Sequence, residues 1–170
     1  MKKLFSLSAV LFVVAFLCGS VAQAQNAPAS PAQTAKGKLG NADVTISYSS
    51  PAVKGRTLWG QLVPYGKVWR AGANDATTFE TTSAVQVEGK TLPAGKYALF
   101  AIPQEDQWTI VFNKVSKQWG AFNYDEGQDA LRVTAKPRKA ASFNERLTYN
   151  VGKDGFTMAW GDLEVPVAVK

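Results

Sequence analysis

The amino-acid sequence predicts an all-β, single-domain antiparallel β-sandwich of jelly-roll kind, with an up-and-down barrel as runner-up and at most one or two short helical turns. Three observations carry this. Apolar residues recur at period two in several short runs. Turn-forming glycines, prolines and aspartates separate those runs. No segment of the domain sustains a helical period, which is the pattern of a sandwich or barrel.

The elements follow in chain order. Met1-Lys2-Lys3, an apolar run from Leu4 to Cys18 and Ala22-Gln23-Ala24 have the order of a secretory signal peptide over residues 1–24. The run is shorter than the roughly 20 residues a membrane-spanning helix needs. A rival reading makes Cys18 a lipid-modified N-terminus, but bulky Leu17 stands before it where such signals carry a small residue. The expected product is exported, periplasmic or extracellular, with no membrane span after cleavage. Residues 25–36, "QNAPASPAQTAK", are small, polar and proline-bearing and read as a disordered leader. Residues 37–170 are even in composition and suit one domain with a core of its own.

Within that domain Val44, Ile46 and Tyr48 alternate with polar residues, as do Trp108, Ile110 and Phe112, and Leu147, Tyr149 and Val151. Each set reads as a strand with one face in the core. Phe156, Met158 and Trp160 repeat the pattern after Gly152-Lys153-Asp154-Gly155, so "RLTYNVGKDGFTMAW" reads as a hairpin. Glu88-Gly89-Lys90 turns the chain between Val85-Val87 and Leu92. "KYALFAI", Lys96 to Ile102, is apolar on both faces and is predicted to be a central strand between layers. Leu163 to Val169 alternates but contains Pro166, which has no amide donor and predicts an edge. Thr57 to Leu62 is the place for a helical turn or two, with Arg56, Trp59, Leu62 and Val63 along one side.

Composition excludes several chemistries. The chain has no histidine, and its single cysteine lies in the signal peptide. An imidazole general base, a Ser-His-Asp or Cys-His arrangement and a thiolate or imidazole metal site are therefore absent, and no cofactor is predicted. Loss of Lys2 and Lys3 takes the formal charge from +6 to +4. The excess is dispersed, at Lys114 and Lys117 and at Lys136, Arg138 and Lys139, which reads as a solvated surface and not as a nucleic-acid footprint.

"SPAVKGRTLWGQLVPYGKVWRAGAND", residues 50–75, followed by "LPAGKYALFAIP" and "QWGAFNYDE", resembles the domain of unknown function 2911 family of exported bacterial proteins. The matching elements are Gly55-Arg56, Leu62 to Arg70 and Gly72-Ala73-Asn74. The resemblance covers nearly the whole domain and implies no activity and no catalytic residues.

The segment from Gly55 to Asn74 packs glycines, aromatics and two arginines into a stretch that is neither helix nor strand, and it supports two readings. In the first, Trp59, Tyr65 and Trp69 plug an open end of the core, and Arg70 is a pin that donates to loop carbonyls or pairs with Glu80 or Asp75. In the second, the aromatics form an apolar platform beside Arg56, Arg70 and Asn74, which orient polar groups of a carbohydrate, carboxylate or phosphate. Glu80, among threonines on a strand from Thr77, is either solvated or paired with Arg70 or Arg56 in a groove.

Without histidine or cysteine, an enzyme would rely on paired carboxylates from Asp75, Glu80, Asp125, Glu126 and Asp129. "NYDEGQD", Asn123 to Asp129, loosely resembles a calcium loop but lacks the EF-hand ligand order. The sequence thus favours a non-catalytic binding or structural module with a polar-aromatic pocket at residues 55–74, its candidate binding residues being Arg56, Trp59, Tyr65, Trp69, Arg70, Asn74 and Glu80. The alternative is a glycosidase-like hydrolase that uses Glu80 and a second acid.

Overall fold

The computed structural model describes residues 28–170. The expected signal peptide, with Cys18, and residues 25–27 of the expected leader lie outside the described residues. Ten strands follow in order: β1 Ala32–Leu39, β2 Ala42–Ser49, β3 Thr77–Thr81, β4 Val85–Val87, β5 Lys90–Leu92, β6 Gly95–Ile102, β7 Trp108–Asn113, β8 Asp129–Ala135, β9 Arg138–Gly152 and β10 Gly155–Ala168. A single 3₁₀ turn, Glu126–Gln128, precedes β8.

Six strands form one antiparallel sheet in the order β1-β2-β3-β6-β7-β8. The long β9-β10 hairpin covers one face of it. The short β4-β5 hairpin joins the end of β10, where the Gln86 and Lys170 amides each donate to the other's carbonyl at 2.7 and 3.0 Å. The result is the predicted sandwich. Ile46, Phe79, Leu99, Phe112 and Val133 of the large sheet meet Leu147, Tyr149, Phe156, Met158, Trp160, Val165 and Val167 of the hairpin in one core.

β6 is buried on both faces, as "KYALFAI" predicts. Tyr97, Leu99 and Ala101 face the main core, while Ala98 and Phe100 join Ala76 and Val111 in a second cluster on the sheet's other side, under Val68, Ala121 and Tyr124. The segments around residues 68 and 121 are thereby packed against the sheet, a fact that matters for the site below.

Two expectations are corrected and a third is met. The leader does not extend to residue 36, because residues 32–36 belong to β1, which pairs with β2 from Ala32↔Ser49 to Leu39↔Ala42. β1 is an edge strand whose side chains are mostly exposed, so its backbone ladder holds it without an apolar alternation. Gly37 permits close packing, since a Cβ there would stand 2.5 Å from Val151 Cγ1. Thr57 to Leu62 forms no helix. Leu62 and Val63 instead donate five residues back, to the Thr57 and Leu58 carbonyls at 3.2 and 2.8 Å, in a single wide turn. Pro166 lies on an edge as expected, since β10 is an outer strand of the two-stranded β9-β10 sheet. The β10 ladder with β9 ends at Glu164↔Arg138 and Val169 then bridges Val87, so the proline lies where β10 changes partner. Among the described residues, no helix is long and apolar enough to cross a membrane.

Candidate functional site

The connection from β2 to β3 leaves the sheet at Ser50 and returns at Ala76, and it is stitched to its surroundings along its length. The Val53 amide donates to the Glu145 carbonyl at 2.7 Å, and the Gly66 amide to the Pro103 carbonyl at 2.8 Å. Trp69 exchanges both backbone bonds with Ala101 of β6, at 2.8 and 2.9 Å. A segment so bonded satisfies its own backbone groups without belonging to a sheet.

Its apolar anchor is a cluster of four tryptophans. Trp59 lies edge-on to Trp108, Trp160 and Trp69 at ring distances of 4.8, 5.9 and 6.0 Å, and Trp69 stacks on Trp160 at 5.8 Å. Such edge-to-face and stacked pairs add to the stabilisation from burial. The Trp69 indole N–H donates to the Gly72 carbonyl at 3.2 Å. The buried indole nitrogens of Trp59, Trp108 and Trp160 have no hydrogen-bond acceptor among the described residues.

Arg70 rides on a backbone whose carbonyls are all taken. The Trp69 carbonyl accepts from Ala101, that of Arg70 from the Thr77 amide at 3.1 Å, and that of Gly72 from the Trp69 indole. The Ala71 carbonyl accepts from two buried hydroxyls, Tyr149 at 2.7 Å and Thr77 at 2.9 Å. Ala71 is buried and has φ +52°, a left-handed conformation that L-residues rarely adopt. Such an outlier persists where its surroundings over-determine it. Gly72 is a glycine because a Cβ there would lie 2.7 Å from Thr77 Oγ1 and 3.2 Å from the Ser49 carbonyl.

The guanidinium held by this backbone is itself unpaired. Arg70 forms no ion pair and no side-chain hydrogen bond among the described residues, and its buried Nε has no acceptor. Burial lowers its pKa from the ordinary arginine value, because desolvation penalises the charged form. Arg56 is housed differently: its Nε donates to the Val53 carbonyl at 3.0 Å and its Nη2 to the Ala52 carbonyl at 2.6 Å. The pin of the segment is therefore Arg56, and the arginine without protein partners is Arg70.

An open cleft of about 280 Å³ lies over these residues. Lys54, Arg56 and Arg70 line it together with Trp69, Trp160 and Leu62, and no carboxylate does. Three cationic residues line the cleft, with the Glu145 carboxylate accepting from the Lys54 amide at 2.9 Å behind them, so the lining carries a net positive charge that favours an anion.

Of the residues the sequence nominates, the structure brings Arg56, Trp69 and Arg70 together in this cleft. Trp59 lies beneath it in the tryptophan cluster. Tyr65 borders a separate surface depression with Gln104 to Gln107. Asn74 is outside the lining, with φ +58°; its side-chain amide donates to Ser49 Oγ at 3.3 Å and its carbonyl accepts from Gly120. Glu80 does not meet Arg70 or Arg56. It lies half-exposed on β3, 3.5 Å from Lys96 Nζ, and its cross-strand partners are Thr45 and Lys96, neither of them an acid. Lys54 and Trp160 were not nominated. "VKGR" offers a signal for Lys54, but Trp160 arrives from β10 and no local pattern announces it.

The acidic loop is committed elsewhere. Asp129 accepts from Asn113, Tyr124 and Arg132, Asp125 caps the 3₁₀ turn through the Gly127 amide, and Glu126 pairs with Arg132 at 2.9 Å. These carboxylates already have protein donors in place of a cation.

A β-sandwich with a cationic, tryptophan-backed cleft thus defines the class. The model of a protein family described as of unknown function (DUF2911) matches residues 30–169, and the chain belongs to that family. The match starts beside β1, in agreement with the earlier start of the domain. No curated protein and no solved structure matches the chain.

Proposed function

We propose that the domain is a non-catalytic binding module that takes a small anionic ligand, a carbohydrate acid among them, in the cleft at Arg70. The observation that carries this reading is a partly buried guanidinium without an acceptor among the described residues, held on a fully bonded and strained backbone. A cation kept there at a desolvation cost, with rigid support and no counter-charge, is an arrangement that an anion completes by charge-assisted, bidentate hydrogen bonds. Trp69 and Trp160 supply the apolar wall. With residues 1–24 read as a signal peptide, the ligand is met outside the cytoplasm.

The test is a calorimetric titration with galacturonate, phosphate and sulfate. Wild-type protein is expected to bind at least one of them, and Arg70→Met to lose about 2 to 3 kcal/mol, roughly 30- to 150-fold in affinity. Equal affinity of Arg70→Met and wild type for every anion that binds, or no binding of any of them, would overturn the proposal.

A further inference from the structure

Two large aromatics on the loop between β7 and β8 are exposed, one of them, Phe122, beside Arg70, and neither is part of the sandwich core. Trp119 is 61 % and Phe122 82 % exposed. Their loop is nonetheless fixed to the segment that carries the arginine. The Gly120 amide donates to the Asn74 carbonyl at 3.1 Å, the Ala76 amide to the Gln118 carbonyl at 3.0 Å, and Asp75 and Trp119 form an antiparallel bridge. Gly120 has φ +64°, and the point its Cβ would occupy is 3.0 Å from the Phe122 ring and 3.7 Å from Arg70 Nη1. The Phe122 ring and the guanidinium therefore flank the same spot.

The guanidinium of Arg70 is thus directed at this loop. The residue lines the cleft with Trp69 and Trp160, and its Nη1 reaches towards the exposed aromatic loop. Resting on the reading of Arg70 as an anion site, we propose that the ligand is an acidic glycan, whose anionic group pairs with the guanidinium while a neighbouring sugar ring packs on Trp119 and Phe122. An aromatic face carries negative charge density and attracts the positively polarised C–H face of a pyranose. Rings this exposed suit an extended chain lying along the surface better than a small molecule enclosed in a cavity. Lys114 and Lys117 are exposed on the same loop and provide charge for further acidic units. Asp75 is exposed nearby but forms no ion pair with Arg70.

The probes are trigalacturonate, a sulfated trisaccharide, neutral maltotriose and monomeric galacturonate, titrated into purified wild-type protein, Arg70→Met and the double variant Trp119→Ala/Phe122→Ala. At least one acidic trisaccharide is expected to bind wild type roughly tenfold or more tightly than monomer and maltotriose. Whichever of the carboxylated and sulfated forms binds better identifies the anion. The double variant is expected to lose that advantage while its affinity for monomer stays unchanged, and Arg70→Met to lose both. If trisaccharide and monomer bind wild type equally, or the double variant keeps full trisaccharide affinity, the glycan inference fails and the anion site stands. If Arg70→Met binds every probe as wild type does, both fail.

Discussion

Arg132 and Arg70 are both partly buried guanidinium groups on one small domain, and they are housed in opposite ways. Arg132 donates through Nε to Asp129 at 2.6 Å, pairs through Nη1 with Glu126 and reaches the Tyr124 hydroxyl. Its pKa is raised, first by the hydrogen bond with Tyr124. Tyr124 in turn is pushed up to about 12, first by burial and then by its bond to Asp129. Arg70 has no such neighbours, and burial lowers its pKa. The fold therefore contains the means to neutralise a buried arginine, uses them at one end of the large sheet, and omits them, among the described residues, at Arg70. We read the uncompensated charge as a site and the charge enclosed by acids as part of the scaffold.

The largest expected effect lies on the paired side of this comparison. The Asp129 side chain is 8 % exposed and accepts from Asn113, Tyr124 and Arg132, and Asn113 is fully buried. Asp129→Ala removes an acceptor from three donors at once and is expected to cost about 3 kcal/mol in urea unfolding, with anion affinity at Arg70 unchanged. A loss below about 1 kcal/mol would mean that the network is a solvated surface cluster, and the contrast with Arg70 would lose its meaning.

The next effect falls on the support beneath Arg70. Tyr149→Phe deletes one of the two hydroxyls on the Ala71 carbonyl and leaves that of Thr77, so the expected stability loss is about 1 to 1.5 kcal/mol. Because Ala71 is held at φ +52° beside Arg70, the same variant is expected to weaken anion binding severalfold without touching the cleft. A stability loss with unaltered affinity would show that the strained turn belongs to the core alone.

What was legible in the sequence follows the same division between local and tertiary causes. Strands with one face in the core show as alternation, and β2, β7, β9 and β10 are readable for that reason. β6 is readable because its two buried faces leave a continuous apolar run. β1 escapes the period-two criterion because its inner face carries the small residues Ala35 and Gly37 before Leu39, and its ladder with β2 is made by groups that every residue carries. β8 alternates at Leu131, Val133 and Ala135, but it follows the acidic run directly and that run dominates the local composition. At the site, the segment and three of its residues are legible from residue type. The division of labour between Arg56 and Arg70 is not, since it depends on which carbonyls and carboxylates the folded chain brings within reach.

That division sets the smallest expected effect, which is also the most discriminating. Arg56→Met removes two charge-assisted bonds to the Val53 and Ala52 carbonyls at an exposed position and is expected to cost about 1 kcal/mol in denaturant stability. Arg70→Met removes a guanidinium with no acceptor among the described residues and places an apolar chain near Gly120 and Phe122. Its stability is expected to stay within about 0.5 kcal/mol of wild type or to rise, because sites held ready for a ligand trade stability for function. The two variants lie in one connection and differ in burial and in partners, so their measured difference reports how each guanidinium is housed. If Arg70→Met proved the more destabilised of the two, Arg70 would be a pin of the plug over the tryptophan cluster and the cleft would be a by-product of it. If Arg70→Met folds at least as well as wild type and has lost its anion, the charge serves the ligand and the scaffold bears the cost of holding it.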